Sequence, residues 1–372
     1  MPELTTEFFA SQTAEIFDHA CSEVGVRITF VVGNELQPMR SIRRFSTVVR
    51  LMKEGLAAKK DAAGLARLEA EQESPSGQDR IRWKFHEHAR FVSANGQPVK
   101  TYFYIVELAR NDAIDAVITT NYDLWLDSLM MDGRFPARGV LNPQADLGLA
   151  DRSDGYYAIE SRARVPKIWK VHGSLSHVSF RKCHCLFRLP RFIVGRADEG
   201  FVTFGRFSHR HYIERRGGQS PRAECIAGDC GEYVHHLDTN YEGSVRDTFG
   251  PEITAACSHI ANCSDRTCII LVGFRGSEVE ELNKPLIDRV RRRLPVLAIF
   301  SSDQARDSKL LAALRGEESF VWSVGSVTSI FNAAASRSSF VERWRERIEA
   351  DYFDRGLIAY DGSDVLDWGV GS

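Results

Sequence analysis

Residues 267–300, TCIILVGFRGSEVEELNKPLIDRVRRRLPVLAIF, decide the fold. The first seven, TCIILVG, form an apolar, β-branched run ended by glycine, the pattern of a strand buried on both faces in a parallel sheet. Residues 278–293 then carry apolar positions at helical spacing, and 294–300 (LPVLAIF) read as a second buried strand. Strand, helix, strand is the βαβ signature, with its strands parallel and its helix crossing one face.

The same alternation runs outward in both directions. Upstream lie an amphipathic helix over 6–25, a strand at 26–33 (VRITFVVG), a strand at 115–121 (DAVITTN) leading into helical spacing, and a strand at 165–173 (VPKIWKVHG). Downstream, SKLLAALRG, SFVWSV and a helix around 327–348 continue it. Residues 41–112 read as helices, with SPSGQ at 74–78 as a turn. From 174 to 249 the chain is rich in Cys, His, Arg and Gly with no sustained period.

The expected fold is therefore α/β: a doubly wound, Rossmann-like parallel sheet with an inserted helical module and a small Cys-containing module. Residues 1–40, 105–175 and 250–350 form the discontinuous Rossmann-like domain, 41–104 the helical insertion, 176–249 the small loop-rich module, and 351–372 a C-terminal tail. Ligands in such sheets bind at the carboxyl ends of strands. Three segments stand there: GNELQPMRSI from residue 33, TTNYD from 119 and HGSL from 172.

Composition excludes several classes. The 372 residues hold 48 Lys or Arg against 50 Asp or Glu, a net charge of −2, which argues against a broad nucleic-acid-binding face. At 43% hydrophobic and 26% charged the chain can bury a large core. No run approaches the roughly 18 apolar residues of a membrane span, and the acidic N-terminal stretch lacks the features of a secretory signal, so the expected location is cytoplasmic. Eight cysteines are too dilute for a disulfide scaffold, but Cys183, Cys185, Cys225 and Cys230 cluster in the small module.

The strand-end segments TTNYD and KVHGSL (170–175) together resemble the sirtuin family. The first is similar to the family's T-Q-N-I-D stretch, and closer still to the T-T-N-Y-D form of bacterial sirtuin-like proteins; the second is similar to the K-x-H-G-S that carries the family's histidine. Residues 269–288 resemble the strand and G-[YF]-S-x-S-D type turn that receives the adenosine end of NAD, and WSVGSVTSIFNAA (322–334) resembles the last strand and helix.

The resemblance implies that NAD is the substrate, with Asn121, Asp123 and His172 as catalytic residues. Asn121 and Asp123 would hold polar groups of the ribose, and His172, with an imidazole pKa near about 6.5, would act as general base. It further implies NAD contacts from Gly33, Phe45, Thr120, Gly273, Arg275 and Ser277. Zinc would be held by Cys183, Cys185, Cys225 and Cys230, although their C-x-C and C-x4-C spacings differ from the family's C-x2-C pairs, and buried or idle thiols remain the alternative. Read without the family, Asn121 and Asp123 would serve a helix start and His172 a strand end.

The chain departs from the family at its phosphate loop, where GNELQPMRSIRRF stands in place of G-A-G-[FIV]-S and only Gly33, Ile42 and Phe45 match. Glu35 would repel a pyrophosphate if it faced inward, whereas Arg40, Arg43 and Arg44 could supply guanidinium contacts. The functional expectation is an NAD+ hydrolase releasing nicotinamide and ADP-ribose, a partner-regulated effector of bacterial antiphage defence acting by NAD depletion. The alternatives are an NAD-dependent protein deacylase or ADP-ribosyltransferase, and a degenerate scaffold that binds a nucleotide or partner. A separate regulatory protein, self-association or a hetero-complex, no membrane and no direct nucleic acid complete the expected partners.

Overall fold

A computed structural model describes residues 4–33, 36, 45–73, 100–121, 126, 166–180, 186–188, 233–237, 245–339 and 342. The strands are β1 (Arg27–Val32), β2 (Ile114–Thr119), β3 (Lys167–Lys170), β4 (Gly173–Phe180), β5 (Leu186–Arg188), β6 (Tyr233–Leu237), β7 (Thr267–Val272), β8 (Val296–Phe300) and β9 (Phe320–Val324). The helices are α1 (Thr6–Ser22), α2 (Phe45–Ala58), α3 (Ala62–Glu73), α4 (Lys100–Arg110), α5 (Val245–Asn262), α6 (Asn283–Arg291), α7 (Ser302–Asp307), α8 (Lys309–Leu314) and α9 (Val327–Arg337).

Six strands form one sheet in the order β3-β2-β1-β7-β8-β9, and every pair is parallel. Numbered among themselves these strands run 3-2-1-4-5-6, the doubly wound order whose direction reverses between the first and fourth. Here the reversal falls between β1 and β7. The α/β class expected from the sequence is the observed one.

Both faces of the sheet are covered, which is why its strands read as continuous apolar runs rather than as alternating ones. On one face Phe30, Val32 and Ile270 meet α1, α4 and α9, and Phe17, Phe30 and Phe331 form an aromatic cluster with ring centroids 5.7–6.4 Å apart. On the other, Val31, Ile269 and Leu271 belong to a core that includes Trp169, Ile253 of α5, Leu286 of α6 and Leu310 of α8. Buried Arg289 ties α6 to the turn between α5 and β7. Its guanidinium donates to the carbonyls of Cys263 (3.3 Å), Ser264 (3.0 Å) and Thr267. Burial pushes the Cys268 thiol up to about 12 and the Cys257 thiol to about 11, so both remain protonated packing groups at neutral pH.

Two details differ from the sequence expectation. Helix α4 begins at Lys100 and buries Phe103, Ile105 and Leu108 in the main core, so it straddles the boundary expected at 104/105. Within the stretch read as aperiodic, β4, β5 and β6 form a three-stranded antiparallel sheet in the order β5-β4-β6. Strand β5 has only three residues and β4 mixes serine and histidine with its apolar positions, so neither carries a clean period of two. Among the described residues no helix is long and apolar enough to cross a membrane.

Candidate functional site

The register aligns the carboxyl ends of the central strands. Lys170 lies opposite Thr119, Thr119 opposite Val32, Val32 opposite Val272 and Val272 opposite Ile299. The next residues continue the ladder: Val171 N–H donates to Thr119 O (3.0 Å), Thr120 N–H to Val32 O (3.0 Å), Gly33 N–H to Val272 O (2.9 Å) and Gly273 N–H to Ile299 O (2.9 Å). One line of backbone therefore carries Val171, Thr120, Gly33 and Gly273, with Asn121 and His172 one residue further on. Parallel strands lie about 4.8 Å apart, so these groups share one edge.

Gly33 and Gly273 meet where the strand order reverses. A Cβ on Gly33 would overlap the carbonyl oxygen of Gly273 and come within 2.6 Å of Phe274 Cα, so only glycine allows the two strand ends to approach this closely. Leu36, fully buried, donates its N–H to Gly33 O at 3.2 Å.

Asn121 is 2% exposed. Its backbone N–H donates to Thr119 Oγ1 (2.9 Å) and its side-chain Nδ2 to the hydroxyl of Tyr102 (3.1 Å), while Oδ1 is buried with no hydrogen-bond partner among the described residues. His172 occupies the turn between β3 and β4, where the chain leaves the large sheet for the small one. Its Nε2 lies 3.0 Å from the backbone carbonyl of Glu278. A carbonyl only accepts, so Nε2 donates in this bond.

That contact spans the crevice. His172 follows β3 and Glu278 follows β7, with β2 and β1 lying between them, so the loop after β7 reaches back over the edge. Val279 and Leu282 anchor the loop in the core, and Ser308 Oγ donates to Arg275 O at 2.7 Å. The side chain of Glu278 is 2% exposed; its Oε2 accepts the Arg275 N–H (3.2 Å), and Arg275 Nε lies 3.4 Å from Oε1. Burial raises the Glu278 carboxyl above the usual range, although Arg275 and the backbone amides of residues 275, 276 and 278 pull it down.

Of the residues expected from sequence, Gly33, Thr120, Asn121, His172, Gly273 and Arg275 thus come together on one edge. Ser277 lies exposed on the loop after β7, and Phe45 opens α2. Asp123, Arg40, Arg43, Arg44 and the four cysteines Cys183, Cys185, Cys225 and Cys230 lie outside the described residues. Tyr102 was not foreseen, because an aromatic residue on the apolar side of a helix reads as core.

The chain is similar in structure to solved Sir2 enzymes. One structure of a Sir2 enzyme shares 16% identity over 91% of this chain and 100% of that one, with a TM-score of 0.44. A Sir2 homologue solved with NAD shares 13% over 90% and 94%, TM-score 0.44, and a Sir2 homologue variant solved with ADP-ribose 14% over 90% and 97%, TM-score 0.45. These solved structures belong to the family that the strand-end motifs resemble. A likeness this low assigns no activity and no site residue to the chain. No protein-family model and no curated protein matches it.

Proposed function

We propose that the protein hydrolyses NAD+ to nicotinamide and ADP-ribose at the carboxyl edge between β1, β2, β3 and β7. One observation carries the reading: Asn121 and His172, from the two motifs that resemble sirtuin segments, stand together beside the switch point, and Asn121 Oδ1 is a buried acceptor with no partner among the described residues. A dinucleotide fits such an edge, with close-approaching glycines at the reversal and polar groups on the neighbouring strand ends.

In this reaction a water oxygen forms a bond to the anomeric carbon of the nicotinamide ribose as the carbon–nitrogen bond breaks. The bonding pair leaves on the now neutral nicotinamide, and the water gives up one proton. Asn121 Oδ1 accepts from the water or a ribose hydroxyl, and His172 Nδ1 takes the proton, its ring held by the Glu278 carbonyl. Control by a separate protein, assembly with that protein or with further copies, and a role in bacterial antiphage NAD depletion belong to the same reading, on the resemblance to TTNYD-type proteins.

The test is NAD loss and nicotinamide release by the purified protein, alone and with proteins encoded beside it. Asn121→Ala and His172→Ala should each lower turnover by about 100-fold or more. Turnover that requires an acylated lysine peptide would replace hydrolysis with deacylation. Intact NAD under every condition, with no NAD binding by calorimetry, would leave the scaffold reading.

A further inference from the structure

We infer that Tyr102 is a positioning residue that anchors the nitrogen end of the Asn121 amide, so that the oxygen end is left to accept from a ligand group that donates. For its catalytic consequence this rests on the NAD reading above. Tyr102 lies in the first turn of α4 and is 1% exposed, among the apolar residues of the main core. Its ring fills core volume as phenylalanine would; its hydroxyl receives Asn121 Nδ2 at 3.1 Å. A buried tyrosine hydroxyl needs a polar partner, and this one meets a residue of the candidate site.

The two ends of an asparagine amide are similar in shape and opposite in character: the nitrogen only donates and the oxygen only accepts. The main chain of Asn121 is fixed by its N–H bond to Thr119 Oγ1 and by the ladder bond of Thr120 to Val32, so a turn about the terminal side-chain torsion is the motion that would exchange the two ends. With the nitrogen spent on Tyr102, the oxygen is the end presented. That oxygen is buried with no partner among the described residues, a state that a hydroxyl, a water molecule or a carboxamide N–H would relieve and an anionic group would worsen. In NAD hydrolysis the donor is the water or ribose hydroxyl beside the reacting carbon. Tyr102 touches neither and acts through Asn121.

The experiment uses the full chain with isotope-labelled asparagine, the Asn121 side-chain amide signal being assigned by its loss in Asn121→Ala. Tyr102→Phe should shift that signal and speed its proton exchange about tenfold, the loss of roughly one hydrogen bond. In turnover, Tyr102→Phe should lower kcat about tenfold with KM within about twofold, and should add nothing in an Asn121→Ala background. An amide signal unchanged by Tyr102→Phe, or effects of the two substitutions that multiply, would overturn the assignment. If the wild type leaves NAD intact, the NAD reading falls and the amide signal alone decides Tyr102. If Tyr102→Phe does not fold, labelled tyrosine reads the bond from its other side: the Tyr102 ring signal moves in Asn121→Ala, and an unmoved signal overturns the inference.

Discussion

Glu278 holds a carboxyl group almost out of water, where desolvation outweighs the help of Arg275 and three backbone amides. Its pKa is raised in the folded state, so folding favours the protonated form, and the stability it contributes at low pH is lost as pH rises through the raised value. Glu278→Gln keeps an oxygen to accept the Arg275 N–H and removes the titration. The melting temperature of this variant relative to wild type is therefore expected to climb as pH rises from the ordinary carboxylate range upward. Thermal unfolding across that range checks it, and a flat difference would mean that the carboxyl is solvated. Single residues were unequally legible in the sequence. Asn121 and His172 stood out because motif and strand end coincided, whereas the Tyr102 hydroxyl left no mark, since tyrosine and phenylalanine serve equally well on a buried helix face.

At the scale of elements, the site depends on how closely two strand ends meet. Gly33→Ala places a methyl group on the backbone of Gly273 and Phe274, which cannot rotate away. The expected cost is about 2–3 kcal/mol or more, read from urea unfolding, with the β1 and β7 ends forced apart. Gly250→Ala in α5 is the contrast: beyond its chain neighbours nothing lies within 4 Å of its added Cβ, so it should cost clearly less than Gly33→Ala, the methyl group meeting only the ordinary crowding of a residue that precedes proline, here Pro251. Equal costs at the two positions would show that the reversal point carries no special strain. The loop after β7 is shaped by the same logic, since Gly276 at φ +86° leaves room for the Asn283 side chain, which donates to the Gly276 carbonyl at 2.9 Å. The sequence marked these glycines as strand stops; that they face one another follows from the pairing of β1 with β7.

For the whole molecule, the small antiparallel sheet is attached to the large one through the His172 turn. Phe180 pairs with Tyr233 and Ser179 with Leu186. Cys183, Cys185, Cys225 and Cys230 lie outside the described residues, and a closed zinc site of four thiolates remains our proposal for them. Purified protein is expected to carry about one zinc ion per chain, lost in a Cys183→Ser, Cys185→Ser double variant, with the parallel sheet retained by circular dichroism. Metal-free wild-type protein, prepared without chelator and with its thiols reduced, would show the cysteines to be packing or idle groups.

The sequence by itself determined the α/β class, the succession of the large sheet's strands along the chain, and the two strand-end segments that carry Asn121 and His172. It could do so because burial on both faces of a parallel sheet demands continuous apolar runs, and because glycine and polar residues stop such runs where a ligand edge begins. Only the tertiary structure decided that β7 pairs with β1, that the loop after β7 reaches across to meet His172, and that the Asn121 amide meets the hydroxyl of a core tyrosine. These are contacts between residues far apart in the chain, made by backbone carbonyls and by a hydroxyl on an otherwise apolar face. Neither leaves a periodic or compositional trace, so they exist only once the sheet has closed.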